Sequence, residues 1–194
     1  MRILIIGSSG SGKTTLGRRL AAALDLKQVE LDAVNWQPGW QGLHLNDPDE
    51  FRRRAAEATD CERWVCDGNY SVLRDVLWPR ATHLIWLDYD RPVIMARVIR
   101  RSVGRAVSGR ELWNGNFEDW RKWTHASHPI RWAWSTWAPL RERYVGLLAD
   151  PAYAHLQVHR LRRPREAEGI EERLIPARAD PIAPPLGEPV GAAD

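Results

Sequence analysis

Eight residues near the amino terminus carry the clearest chemistry in the chain: Gly7-Ser8-Ser9-Gly10-Ser11-Gly12-Lys13-Thr14. Glycines at these spacings let the backbone wrap closely around an anion, so that successive N–H groups point inward. A lysine and a hydroxyl follow directly. The pattern is G-x-x-x-x-G-K-[ST], whose loop cradles the phosphates of a nucleoside triphosphate. Gly10, Ser11, Gly12, Lys13, Thr14 and Thr15 are therefore candidate ATP-binding residues. Lys13 would neutralise the β- and γ-phosphates, which makes it a catalytic candidate too, and Thr14 would place its hydroxyl on Mg²⁺. A glycine turn without a ligand is the bland alternative. The setting speaks against it, because a short apolar run at 2–6 leads into the loop and a helical pattern leads out, adding the positive end of a helix.

Two carboxylates stand at comparable places. Asp67 ends the apolar run Trp64-Val65-Cys66, where an acid can hold Mg²⁺ through water; ahead of Gly68 it can equally be a turn residue. Asp32 ends the stretch 28–31 and could accept a proton from, or orient, a substrate hydroxyl, or again serve a turn. Basic residues follow later. Arg97 and Arg101 lie four apart and share a helix face, Arg100 is placed outward, and Arg105 and Arg110 come after. Arginines that close over a phosphoryl group in flight stabilise the charge on its oxygens. The rival reading is a solvated basic helix.

Charge distribution supports an anionic partner. From 97 to 143 there are ten Arg and Lys against four Asp and Glu, although the whole chain carries only +3. That partner could be the phosphates of a small molecule, which we favour, or those of a nucleic acid. Six of the eleven tryptophans fall between 113 and 137. Trp120 with Trp123, and Trp134 with Trp137, can share a helix face, giving either an aromatic pack or a stacking surface for bases. His125, His128, His155 and His159 form no consistent metal-ligand set.

These residues need elements to position them. The pattern predicts strands at 2–6, 28–31, 64–66, 83–87 and 155–159, separated by helices at 13–24, 47–59, 71–78 and 90–103. Asp47-Pro48-Asp49-Glu50 has the form of a capping box. A loop at 35–46 and a mobile loop at 104–116 follow from weak periodicity. Further helices are expected at 117–123, at 129–148 with a bend or split at Pro139, and at 165–174. Strands alternating with helices imply an α/β fold with a parallel sheet whose ligands bind at the carboxyl ends of strands. Gly7, Asp32 and Asp67 all sit at that edge. The domain should span 1–175, with a lid region at about 104–125, and the Ala/Pro/Gly-rich stretch 176–194 should be a disordered tail. No apolar run suffices to cross a membrane. Cys61 and Cys66 match no metal spacing and sit too far apart on an extended segment to bridge, so two free thiols in a cytoplasmic protein are expected.

Several segments together resemble the adenylate-kinase-related group of P-loop proteins, most closely its small branch labelled DNA topology modulation proteins. They are GSSGSGKTT at 7–15, VELD at 29–32, PGW at 38–40, WVCDGNYS at 64–71 and THLIWLDYDRPVIMARVIRR at 82–101. The resemblance implies a nucleotide-kinase-type fold with a five-stranded parallel sheet, flanking helices and a helical lid after 103. It implies phosphoryl transfer from Mg-ATP to a small acceptor, with Asp67 on the Mg²⁺ side and Arg97 and Arg101 as phosphate clamps. Adenylate kinases follow the Asp-Gly pair with Phe-Pro-Arg and carry a TGDxxR acceptor helix. Here Asn69-Tyr70-Ser71 follows and that helix is missing, which counts against AMP as acceptor.

Overall fold

The structure is a computed structural model and describes residues 1–108, 111–117 and 128–175. Arg2–Gly7 forms strand β1, because four apolar residues, Ile3-Leu4-Ile5-Ile6, run unbroken into a glycine. Helix α1, Lys13–Leu24, follows the loop and buries Leu16, Leu20 and Leu24 at helical spacing. Strand β2 (Lys27–Glu30) runs directly into helix α2 (Leu31–Asn35), so Asp32 lies in a helical first turn rather than at a strand end. The expected loop at 35–46 has structure of its own. Strands β3 (Trp36–Gln37) and β4 (Gln41–Gly42) pair antiparallel, and helix α3 (Leu43–Asn46) follows.

Helix α4, Pro48–Ala58, begins as expected, with the Asp47 carboxylate accepting from the Glu50 N–H at 3.0 Å. Only half of the capping box forms. Glu50 turns to Arg53 and Arg54, at 2.7 Å each, and the Asp47 N–H bonds Leu43 instead. Strand β5 is Trp64–Asp67 and helix α5 is Arg74–Leu77; Ser71 starts a 3₁₀ turn before α5 and caps nothing. Strand β6, His83–Leu87, is fully buried. Helix α6, Arg91–Ser108, overruns its expected end. Apolar periodicity fades after 103, yet arginine and alanine are good helix formers, so the backbone continues past Gly104. Helix α7, Pro129–Leu148, is one element with Pro139 inside it. Strand β7 is Gln157–Leu161, two residues later than expected. The expected last helix reduces to a 3₁₀ turn at Pro164–Ala167 and helix α8, Ile170–Leu174.

All five long strands are parallel in the order β2-β5-β1-β6-β7. Both faces of the central strands β1, β5 and β6 are covered, which is why these read as apolar runs, whereas the edge strands β2 and β7 keep exposed polar residues. Alternation divides the core. Ile3, Ile5, Val65, Ile85 and Leu87 meet Leu16, Leu20, Ile94 and Val98 of α1 and α6. Leu4, Ile6, Cys66, Leu84 and Trp86 meet Phe51, Ala55, Leu77 and Tyr144 of α4, α5 and α7. Burying each such aliphatic side chain is worth about 1.5–3 kcal/mol. Cys61 is exposed and Cys66 buried, and neither is bonded to the other. Among the described residues, no helix is long and apolar enough to cross a membrane. Arg110, Trp120, Trp123, His125, the helix expected at 117–123 beyond Phe117, and the stretch 176–194 lie outside the described residues.

Candidate active site

β1 and α1 present the glycine loop at the carboxyl edge of the sheet. Gly12 sits at the start of α1 with φ 96° and ψ 22°, a left-handed backbone that would cost any other L-residue about 1–2 kcal/mol. No side chain caps α1 and its first turn holds no acid. The N–H groups at the head of the helix are therefore left to face an anion. Lys13 Nζ donates to the carbonyls of Gly7 at 2.9 Å and Ser8 at 3.2 Å, folded over its own loop. Burial lowers its pKa, while Asp32 and Asp67 act in the opposite direction and Arg101 adds to the lowering. A half-buried ammonium of this kind gains from a phosphate. Thr15 is exposed, and Ser11 is buried with its hydroxyl lacking a partner.

β5 ends at Asp67, and the Thr14 hydroxyl donates to Asp67 Oδ2 at 2.7 Å. Asp67 Oδ1 is buried without any hydrogen-bond partner. Burial pushes the Asp67 carboxyl up to about 6, against the Thr14 hydrogen bond and Lys13, which lower it. A buried carboxylate oxygen left unpaired beside a hydroxyl is costly alone and suits a hard cation, so Thr14 and Asp67 fit Mg²⁺.

The face of α6 toward the loop carries Arg97 and Arg101. Arg97 Nη1 donates to the Ser11 carbonyl at 3.0 Å, and its guanidinium lies 5.2 Å from the centre of the Tyr89 ring. Arg101 Nη2 donates to Ser9 Oγ at 3.1 Å. Arg100 is exposed, as its position on the helix predicts. Arg105 belongs to α6 and not to a loop.

Asp32 accepts a 2.6 Å hydrogen bond from the Tyr70 hydroxyl. Burial, then Asp32, raises the Tyr70 pKa, so the phenol stays a donor. Asn69 grips the loop: its Oδ1 accepts from Gly7 N and its Nδ2 donates to Gly7 O. Sequence reasoning also missed Asp88. Its buried carboxylate is held by Arg141 at 3.1 Å and Arg160 at 2.6 Å, beside a small cavity that Ser8 helps to line. The described part of the expected lid, 111–117, seats on the hairpin. Asn116 Oδ1 accepts from Trp40 N at 2.8 Å, Asn116 Nδ2 donates to Gln37 O at 2.9 Å, and Trp40 Nε1 donates to Phe117 O at 3.1 Å. Trp134 and Trp137 share a face as predicted and flank the Arg91 guanidinium at 4.7 and 4.9 Å.

No family model matches the chain. It is similar to the thermosensitive gluconokinase of Escherichia coli (strain K12), with 32% identity over 114 residues, covering 51% of this chain and 61% of that protein. The match thus spans about three-fifths of the relative's length. Among solved structures, shikimate kinase from Bacteroides thetaiotaomicron aligns over 90% of this chain and 96% of its own, with a TM-score of 0.51 and 15% identity. At that identity the likeness shows the fold alone: a five-stranded parallel sheet flanked by helices.

Proposed function

We propose that this chain is an ATP-dependent kinase that moves the γ-phosphoryl group of ATP to a hydroxyl of a small acceptor: a nucleoside, a nucleotide or another hydroxylated metabolite. The observation that carries the reading is the aim of α6. Arg97 and Arg101 reach Ser11 and Ser9 of the glycine loop instead of pointing away from the crevice. The similarity to a protein named a gluconokinase supports a hydroxylated metabolite as acceptor.

Gly10–Thr15 would hold the triphosphate through the loop and the head of α1, and Lys13 would leave its carbonyls for the β- and γ-oxygens. Thr14 and Asp67 would hold Mg²⁺, which supplies positive charge at the phosphate oxygens when bound. Asp32 orients the acceptor hydroxyl and receives its proton. The acceptor oxygen bonds the γ-phosphorus as the bond to the bridging oxygen breaks, and that electron pair leaves on ADP. Arg97 and Arg101 balance the charge on the phosphoryl oxygens between the two partners.

The other reading, a nucleic-acid-associated ATP-binding protein or slow ATPase of the DNA topology modulation type, would use the basic segment and its tryptophans on a polymer. Trp132 and Trp134 are more than half exposed on α7, at 55% and 56%, and are the observation in its favour. An ADP-release screen over nucleosides, nucleotides and hydroxylated metabolites, gluconate and shikimate included, tests the choice. Acceptor-dependent ADP release supports the kinase. Release that ignores every acceptor and rises with DNA or RNA supports the alternative.

A further inference from the structure

Where strand β5 turns out of the sheet, a side chain takes its place. The ladder between β1 and β5 runs to Ile5 and Asp67, and the Gly68 N–H still donates to Ile5 O at 3.3 Å. There the chain leaves: Gly68 has φ 150°, and a Cβ on it would lie 2.8 Å from Leu31 Cβ. Alternate residues of a strand offer their N–H and C=O to the same neighbour, so Gly7, two on from Ile5, still faces the β5 side. Asn69 meets it with an amide. Its Oδ1 accepts from Gly7 N at 3.2 Å and its Nδ2 donates to Gly7 O, as the peptides of a strand would. The backbone fixes how this amide is turned, since the reverse would set donor on donor and acceptor on acceptor.

The same carbonyl holds Lys13. Its Nζ donates to Gly7 O at 2.9 Å and to Ser8 O at 3.2 Å. A carbonyl oxygen has two lone pairs, and at Gly7 the ammonium and the amide occupy both. Gly7 is buried, so its oxygen depends on protein partners. A lysine that moves to phosphate gives up both carbonyls. Ser8 O has a second donor in Ser11 N at 3.1 Å, and Gly7 O has Asn69. The residues on either side have contacts of their own: Asp67 with Thr14 at 2.7 Å, and Tyr70 with Asp32 at 2.6 Å.

Resting on the reading of this loop as the ATP site, we infer that Asn69 is a positioning residue for the triphosphate. It keeps the Gly7 carbonyl paired when Lys13 leaves for the β- and γ-phosphates, so the departure of the lysine orphans no buried acceptor. The bond from Gly7 N–H to Asn69 Oδ1 is the same with or without nucleotide. The bond from Asn69 Nδ2 to Gly7 O matters most once Lys13 is away. Asn69 therefore acts on nucleotide affinity separately from its share in stability.

Two variants separate these roles. Asn69→Ala loses both hydrogen bonds. Asn69→Asp keeps the native shape and still accepts from Gly7 N, but it sets an oxygen against Gly7 O and a negative charge beside the Lys13 ammonium, which then stays on the loop. Affinity for a non-hydrolysable ATP analogue with Mg²⁺ is measured by calorimetry, stability by thermal melting without nucleotide, and phosphoryl transfer on the full chain. Stability should rank native, then Asp, then Ala, whereas affinity should rank native, then Ala, then Asp. Kd should rise about tenfold in Asn69→Ala, the size of one buried acceptor left unpaired, and about tenfold further in Asn69→Asp. The KM for acceptor should hardly change, because Asp32 is bonded to Tyr70 instead. A check on the native protein holds even if Asn69→Ala does not fold: the side-chain amide hydrogens of Asn69 should stay protected from exchange when the analogue binds.

Affinity that follows stability, with Asp above Ala, would make Asn69 a structural residue, overturning the inference and leaving the kinase standing. Exchange protection lost on binding the analogue would overturn it as well. Crossed orders without transfer to any acceptor by the native chain would uphold the inference and remove the kinase. A native chain that binds no analogue would remove both.

Discussion

Asp67→Asn acts on the metal side of the site and on stability in opposite directions. Burial raises the Asp67 pKa from 3.8 to about 6. The sign follows from linkage. A carboxyl raised above its unfolded value contributes stability that is fully present below about 3.8 and is lost as pH rises through about 6. Roughly two units at about 1.36 kcal/mol each put the cost of the ionised carboxylate near 3 kcal/mol at about pH 8 in the ligand-free protein. Asparagine removes that charge and can still accept from Thr14. Its amide nitrogen would take the place of the unpartnered Oδ1 and cost about 1–2 kcal/mol. The variant should therefore be about 1–2 kcal/mol more stable at about pH 8, a rise in Tm of roughly 2–8 °C, with the gain gone near pH 4. Function should move the other way, with the Mg²⁺ midpoint for ATP binding rising about tenfold or more because the amide supplies no negative charge. Melting curves at both pH values and a metal titration read these quantities. A variant less stable at both pH values, with an unchanged Mg²⁺ midpoint, would make Asp67 a turn residue and refute the reasoning.

Arg101→Ala should lower kcat by about 10³-fold while weakening ATP binding much less, because a charge aimed at the phosphoryl group acts mostly in the transition state. Equal losses in both, read from steady-state kinetics and a binding isotherm, would mark it as a ground-state contact. Acid should destabilise the protein through His83 and His159, whose rings stack 5.9 Å apart at 11°. Burial lowers both, helped by the terminal ammonium at His83 and by His83 and Arg173 at His159. Their folded values lie below the free value near 6.5, so the unfolded chain takes up protons first and stability falls as pH drops through about 6.5. Melting curves in the Asp67→Asn background, which removes the opposite contribution, should show this fall, and His159→Gln should flatten it. A slope unchanged by His159→Gln would reject the pair as its source.

Elements whose cause is local were legible. The glycine loop, β1 and α1 are written in consecutive residues, and Lys13–Leu24 has the bounds its periodicity predicts. The positions of Asp67 at a strand end and of Arg97 and Arg101 on one helix face were legible because both follow from short-range spacing. The partners that complete the site lie far apart in sequence. Tyr70 is 38 residues from Asp32, Asn69 is 62 from Gly7, and Asn116 is 76 from Trp40. No local pattern marks which distant side chains will meet. The end of α6 escaped for a different reason. Val103 and Val107 are exposed, so the apolar stripe stops while the backbone hydrogen bonds continue. The hairpin at 36–42 was hidden by a turn that needs Trp40 at φ 59°, a conformation its residue type does not advertise.

The central claim is that Mg-ATP held at the glycine loop gives its terminal phosphoryl to a small acceptor, and counting products tests it most directly. ADP, phosphorylated acceptor and inorganic phosphate are measured together, by ³¹P NMR and mass spectrometry, for the native chain and for Lys13→Ala shown by circular dichroism to be folded. The account predicts one phosphorylated acceptor for each ADP in the native protein, and neither product above background in the variant. ADP matched by inorganic phosphate whatever acceptor is supplied, or undiminished turnover in folded Lys13→Ala, would contradict it.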